Sequence, residues 1–397
     1  MDTLALSIAI AAALLTTGGI VYGVLALLGA RAFERAAGLA AAAQTAEGVA
    51  GGVSILKPVR GLDARMYAGF ASHCTQQYDG PIELIFGVRS LDDPAVAEVA
   101  RLRVEYPQME IRVVECPEVL GSNGKVSNLA QMLPHARYEH LIVNDSDIRV
   151  SVHYVQRVVA AFGDPDVGLV TLPYRGHAEG GVWSKLEALG IATDFFAGVL
   201  TARRLEHGIR FGLGSTLATT RAALECVQDA QGRRGFLALV DELADDYELG
   251  ARIAAAGYRV ELIREVVETS VPSYTLRGFC DHQLRWARGV RDSRSAGYAG
   301  LAVTYVLPWA LATVVASGGA LWSFSLLSVA LLVRITVALA VGVGVLGDAQ
   351  VLRDLWLLPV RDCFGLLLWA WSYASDTVVW RGERFRLKHG RLEPLRS

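Results

Sequence analysis

A chain of 397 residues is long enough for one folded domain of a few hundred residues with several apolar segments beside it. Its 38 Lys and Arg against 40 Asp and Glu leave a net charge of -2, so no basic field points to nucleic acid as a partner. Hydrophobic residues make up 52%, and the excess lies towards the two ends of the chain, which is the distribution of a membrane protein.

Five cysteines, Cys74, Cys116, Cys226, Cys280 and Cys363, are scattered without a CxxC pair or zinc-ligand spacing, and read as reduced thiols filling small gaps. From Leu4 to Leu28 no charge interrupts the run. At about 1.5 Å per residue such a helix exceeds a hydrocarbon core of about 30 Å. It is too long for a signal-peptide core and lacks a basic start, so residues 1–30 are expected to form an uncleaved anchor. Arg31 and Arg35 follow it and only Asp2 precedes it, which predicts an outside N-terminus and a cytoplasmic domain at the inner membrane. Residues 31–52, rich in Ala and Gly, read as a linker or a weak interfacial helix.

From Val53, strand-like and helix-like segments alternate. Strands are predicted at 53–58, 82–88, 110–116, 140–144 and 167–172, with helices around 64–77 and from Pro94, Val126 and Val152. This alternation predicts an α/β domain with a mainly parallel sheet over 53–297, its ligands lying beyond the carboxyl ends of the strands. A long amphipathic stretch, 183–205, and a glycine-bearing segment, 211–216, come next and are expected to form the acceptor side. Over 298–380 two spans are predicted, about 303–321 and 324–346, followed by an apolar stretch, 363–380, that either crosses or is re-entrant. Residues 381–397 read as a basic tail.

The chemistry-bearing residues fall after strands, at helix starts and before the apolar segments. Asp145-Ser146-Asp147 follows the strand 140–144, and two carboxylates one residue apart suit a hard divalent cation that neutralises a diphosphate, although such a triplet alone is more often a solvated turn. Asp92-Asp93-Pro94 follows another strand and doubles as a helix start. Gly121-Ser122-Asn123-Gly124-Lys125 is a flexible loop ending in a cation at a helix start, suited to phosphate but equally to a surface turn. Asp245-Asp246-Tyr247-Glu248 either complements a helix dipole or supplies a general base. His282-Gln283-Leu284-Arg285-Trp286 is either a juxtamembrane anchor or a diphosphate clamp.

Taken in order, Asp93, Asp145-Ser146-Asp147, Asp246-Tyr247 and His282-x-x-Arg285-Trp286 resemble the D, DxD, D, (Q/R)xxRW series of GT-A glycosyltransferases of the family 2 and family 21 type. Leu56-Lys57-Pro58, Asp92-Asp93-Pro94-Ala95, Lys125-Val126-Ser127-Asn128-Leu129 and the tail 380–387 resemble the ceramide glucosyltransferase branch. Residues 125–137, 169–176 and 282–288 resemble most the hopanoid-biosynthesis glycosyltransferases that add N-acetylglucosamine to a bacteriohopanepolyol. The resemblance implies a GT-A domain with an N-terminal transmembrane helix and C-terminal membrane segments, carrying out an inverting transfer from a UDP-sugar to a membrane lipid with Mg2+ or Mn2+. It also implies the roles: Asp93 for uridine, Asp145 and Asp147 for metal and diphosphate, Asp246 as base, and Arg285 and Trp286 for the diphosphate and acceptor side, with Lys125, Asn128 and His282 expected among the substrate-binding residues. Where the family has Gln or Arg this chain has His282, and where animal ceramide enzymes have a His near the acceptor the match gives Asp194. A processive polysaccharide synthase shares the motif series but needs more spans, and a non-catalytic nucleotide-sugar receptor would lack the base or the DxD group.

Overall fold

The computed structural model describes residues 3–43, 51–380 and 383–395. Part of the expected linker, 44–50, and Arg381-Gly382 of the tail lie outside the described residues. The chain divides into two compact units: Met1–Ala36 with Gly180–His207 and Pro272–His389, and Ala37–Glu179 with Gly208–Val271 and Gly390–Ser397. The stretch expected as one domain, 53–297, thus contributes to both.

In the second of these units the alternation appears as predicted. Strands β1 (Val53–Pro58), β2 (Ile82–Val88), β3 (Glu110–Glu115), β4 (His140–Val143) and β5 (Val167–Thr171) alternate with helices beginning after α1 (Thr3–Ala43): α2 (Met66–Cys74), α3 (Ala95–Glu105), α4 (Gly124–Met132) and α5 (Tyr154–Ala160). Less legible were β6 (Tyr174–Ala178), β7 (Leu217–Thr220), β8 (Arg259–Leu262) and β9 (Val267–Val271), which are short or only half-buried. The main sheet runs β3-β2-β1-β4-β7-β5-β8, with β7 antiparallel to both neighbours and the other pairs parallel. Because β2 and β3 build outwards on one side of β1 and β4 on the other, the strand order reverses between β1 and β4, the place at whose carboxyl ends sheets of this kind bind ligands. Strand β1 is buried along its whole length, Lys57 included. A separate parallel ribbon, β6-β9, is tied to the loop after β4 by paired backbone bonds between Arg149 and Glu268.

The other unit holds the apolar helices. Helix α1 continues past the charge-free run to Ala43, across much of the stretch read as a linker, because its Ala-rich sequence favours helix after the hydrophobic run ends. Gly29 allows close packing there: a Cβ would lie 2.6 Å from the Leu200 carbonyl oxygen. The amphipathic stretch forms α6 (Gly181–Gly190) and α7 (Phe196–Leu205), joined through a π-helical turn at Ile191–Phe195.

After α8 (Arg221–Glu225) and α9 (Asp245–Ala255) of the sheet-bearing unit come α10 (Leu276–Ser293), α11 (Ser295–Thr304), α12 (Val306–Ala316), α13 (Leu321–Val337), α14 (Gln350–Asp354) and α15 (Leu358–Ser372). Among the described residues two helices, Thr3–Ala36 and Leu321–Val345, are long and apolar enough to cross a membrane. The expected span at 303–321 is a bent pair, α11 and α12, meeting at 54°. Pro308 explains the break, since its ring clashes with the carbonyl four residues back at Thr304. The ambiguous third stretch has only the 15 residues of α15, about 22 Å of helix, and falls short of a crossing. Its last part, with the start of the expected tail, is instead the antiparallel hairpin β10 (Thr377–Trp380) and β11 (Glu383–Lys388). Alternating burial at Phe385 and Leu387 makes that segment a strand rather than a free tail. Arg334, the one charge expected within the spans, is buried and ion-paired with Asp194 and with Asp362 at 2.9 Å, as a cation on an apolar helix requires.

Helix α9 lies hard against the 211–212 segment. A Cβ on Gly250 would meet the Gly212 nitrogen and Phe211 backbone at 2.5 Å. Gly250→Ala is therefore expected to destabilise the protein by about 1–3 kcal/mol, read as a lowered thermal midpoint in detergent. An unchanged midpoint would show that the helix can move aside at no cost.

Candidate active site

The loop after β4 carries the DxD carboxylates at the strand-order reversal. It is held from several directions. Lys57, fully buried on β1, donates from Nζ to the Asp145 carbonyl at 3.1 Å. Burial pushes its ammonium down to about 7, against the opposing pull of Asp147 and Asp145. Behind the loop, the Asn144 amide nitrogen donates to Tyr154, the Ser215 carbonyl and Thr216, while its oxygen lies 3.2 Å from His73 Nε2. Satisfying so many buried polar atoms at once leaves the loop a single arrangement. Gly69 of α2 permits the helix to pass close: a Cβ would stand 3.0 Å from the Ile148 carbonyl oxygen.

The glycine-bearing loop before α4 supplies two groups. Asn123 caps the helix, accepting from the Val126 amide at 3.2 Å, and donates to the Glu242 carbonyl at 2.8 Å and to Asp245 at 3.3 Å. Lys125 stands 2.7 Å from Asp145 Oδ1 and 3.7 Å from Asp245 Oδ2. Burial disfavours its charge, but Asp145, Asp245 and Asp246 outweigh burial and raise its pKa. The phosphate-type loop and the acids of α9 thus meet the DxD loop through one ammonium.

Asp246 lies in the first turn of α9, and its Oδ1 accepts from the Tyr247 amide at 2.9 Å. It follows Asp245 rather than occupying the N-cap, which is Ala244, so helix capping does not account for it. Burial, together with the charge of Asp245, pushes the Asp246 carboxyl up to about 6 despite the opposing Lys125. Gly214 keeps the space beside it open, since a Cβ there would be 3.1 Å from Asp246 Oδ2.

Asp147 accepts from Thr269 Oγ1 at 2.6 Å and the Ser270 amide at 2.8 Å, both on Oδ2. Burial raises its pKa, the Thr269 bond opposing it and Asp145 adding to it. Among the described residues no group of three or more His, Cys, Asp or Glu is placed to hold a metal ion. Two carboxylates from Asp145 and Asp147 are nonetheless the oxygen donors that Mg2+ or Mn2+ takes when phosphate oxygens and water fill the other positions. The residues therefore fit an ion shared with a diphosphate rather than one caged by protein.

Of the other expected residues, Asp93 accepts the Gly61 amide on both oxygens at 3.0 Å and the Ala95 amide at 2.9 Å, tying the segment after β1 to the start of α3. Asn128 donates to the Gly87 carbonyl at 3.4 Å, near the end of β2. His282, Arg285 and Trp286 belong to the unit of apolar helices and share one face of α10. There His282 Nδ1 lies 3.1 Å from the buried Glu187 carboxylate, with Tyr274 and Trp286 rings on it at 5.5 and 5.1 Å, and Arg285 lies over Trp380 at 5.9 Å. Motif reading passed over Asn123, Thr269 and the structural work of Lys57. An Asn before a helix is a legible cap signal; nothing local marks Thr269.

A sequence profile of Glycosyl transferase family 21 matches residues 11–393. An N-acetylglucosaminyltransferase of Rhizobium meliloti (strain 1021) is 27% identical over 161 residues, 38% of this chain and 36% of that relative. Ceramide glucosyltransferase 3 of Caenorhabditis elegans is 27% identical over 199 residues, 50% of this chain and 41% of that relative. The matched stretches span less than half the length of either relative. Among solved structures, the mannosyltransferase PcManGT of Pyrobaculum calidifontis, in complex with GDP-Man and Mn2+, is 19% identical with a TM-score of 0.51, covering 93% of this chain and 96% of that one. That likeness supports the GT-A fold.

The raised Asp246 carboxyl has a consequence for stability. It binds its proton more tightly folded than unfolded, so its contribution is fully present below about pH 4 and lost as pH rises through about 6. Asp246→Asn, neutral throughout, is expected to melt higher than the wild type at about pH 8 and to lose that advantage below about pH 4. Coincident melting curves at the higher pH would contradict a penalised carboxylate.

Proposed function

The chain belongs to glycosyl transferase family 21, and from that premise we propose that it moves a sugar from a UDP-sugar to the hydroxyl of a membrane lipid, with inversion, at the cytoplasmic face. The observation that carries this reading is the meeting of Asp145, Lys125, Asp245 and Asp246 at the carboxyl edge of the sheet, with the Asp246 carboxyl raised to about 6. A group with that pKa is ionised at neutral pH yet basic enough to take a proton. Asp246 takes the acceptor proton as the hydroxyl oxygen attacks the anomeric carbon and the bond to the UDP oxygen breaks. Lys125 supplies positive charge beside the leaving diphosphate. A divalent cation on Asp145 and Asp147 would neutralise the phosphates. Asp93 for uridine and Arg285 and Trp286 for diphosphate and acceptor follow from the family motifs, and Asn128 and His282 join them as substrate-binding residues, His282 standing where the family has Gln or Arg.

For the substrates we propose N-acetylglucosamine and a hopanoid polyol, on the likeness of residues 125–137, 169–176 and 282–288 to the hopanoid enzymes. The relative named N-acetylglucosaminyltransferase agrees with that sugar. Glucose transfer to ceramide is the second reading, favoured by the relative named ceramide glucosyltransferase. Purified protein incubated with radiolabelled UDP-sugars and extracted bacterial lipids, with product masses determined, separates the two. A hopanoid product carrying N-acetylhexosamine is expected, and a hexosylceramide as the sole product would establish the second reading instead.

Asp246→Asn keeps the side chain's size but not its basicity, so transfer should fall by about two to four orders of magnitude while UDP affinity survives. In the wild type kcat/KM should fall below about pH 6 as the base is protonated. The matching control is Asp245→Asn. Near-normal turnover in the Asp246 variant, or a greater loss in the control, would overturn the assignment of the base. Asp147→Ala should abolish both turnover and metal-assisted UDP binding.

A further inference from the structure

The Asp147 carboxylate is oriented from β9, a strand distant in sequence whose side chains none of the family motifs include. Backbone bonds run both ways between Arg149 and Glu268, at 2.8 and 3.0 Å, and form an antiparallel bridge. Antiparallel pairing from that bridge carries the chain two residues back on one side and two forward on the other, which sets Ser270 opposite Asp147. The Ser270 amide accordingly donates to Asp147 Oδ2 at 2.8 Å, and the Thr269 hydroxyl donates to the same oxygen at 2.6 Å. The register is further held on both sides of the bridge. Thr269 pairs with Gly176 in the parallel β6-β9 ribbon, and the Glu268 side chain takes ion pairs from Arg65 and Arg175, each at 3.3 Å. Two donors on one oxygen fix the plane of the carboxylate, and neither of them engages its other oxygen, Oδ1.

We propose that Thr269 is a positioning residue for Asp147: its hydroxyl, with the Ser270 amide, occupies Oδ2 and presents Oδ1 to the divalent cation that accompanies the donor diphosphate. This rests on the reading of Asp145 and Asp147 as metal carboxylates. Hydrogen bonds to a ligating carboxylate set its orientation, and losing one costs about 10–100-fold in metal affinity. The hydroxyl is the part a substitution can remove, because the Ser270 bond comes from the backbone. Valine keeps the shape of threonine without the donor, and serine keeps the donor without the methyl.

The test titrates Mn2+ into the purified full-length protein in detergent with UDP present, following free Mn2+ by electron paramagnetic resonance, for wild type, Thr269→Val, Thr269→Ser and Asp147→Ala. Thr269→Val is expected to bind Mn2+ about tenfold or more weakly, with Thr269→Ser close to wild type. Metal-free UDP affinity and the melting midpoint should be unchanged in both. Transfer by Thr269→Val should recover as Mn2+ is raised, which a loss of packing would not allow. Wild-type Mn2+ affinity in Thr269→Val alongside its loss in Asp147→Ala would overturn the positioning role and leave the metal reading standing. Undiminished Mn2+ affinity in Asp147→Ala would sink both. If Thr269→Val unfolds, Thr269→Ser decides alone: the proposal stands if serine retains the affinity and falls if serine loses it with the fold intact.

Discussion

Three carboxylates gathered at one edge of a sheet repel one another, and the ammonium of Lys125 is what makes the gathering tolerable. It lies between Asp145 on the loop after β4 and Asp245 at the start of α9, and those acids outweigh the burial that would otherwise strip its charge. Removing one partner of such a half-buried set leaves uncompensated charge, so its members act as a unit. Asn123 adds a second tie between the same loop and α9. The distance between the DxD loop and Asp246 is therefore set by one cation and one amide on a glycine-bearing loop.

The rest of the sheet-bearing unit supports that arrangement from beneath. Lys57 holds the backbone of the DxD loop from inside the sheet, Asn144 and Tyr154 pin it from behind, and Thr269 and Ser270 orient Asp147 from the side. Buried polar groups of this kind add less to stability than to uniqueness, because each demands its partner in one geometry. Asp246 is kept away from most of these partners. Its bond to the Tyr247 amide leaves burial and Asp245 in command of its basicity, and the glycine at 214 keeps its surroundings open. Charge pairing is thus concentrated on Asp145 and Asp245 while the Asp246 carboxylate bears the penalty of burial, which is the environment the proposed base requires.

The helical unit shows a comparable economy of charge. Arg334 and Arg361 meet Asp194 and Asp362 in a buried cluster of balanced charge, with Gln283 accepting from Arg361. The sequence match had singled out Asp194 by analogy with an acceptor-side histidine. In the fold its carboxylate is an ion-pair partner of both arginines.

Strand and helix existence in the first half of the sheet-bearing unit was written in the sequence, because hydrophobic runs and turn residues are local signals and the strands β1, β2, β4 and β5 there are buried along most of their length. The order of motifs was equally legible, since Asp93 and Asp145-Ser146-Asp147 each follow a strand, where ligands of such sheets bind, and Asp245-Asp246 open a helix. What only the tertiary structure decided were the relations between distant segments. The antiparallel insertion of β7, the bridge from Arg149 to Glu268 that brings Thr269 to Asp147, and the choice of Lys125 as the link between Asp145 and Asp245 depend on packing across more than a hundred residues of chain in the last two cases. Span lengths belong to the same class. Apolar composition alone could not show that Pro308 bends one segment or that the last one ends early in a hairpin, because hydropathy measures what a stretch can bury and not the backbone geometry in which it does so.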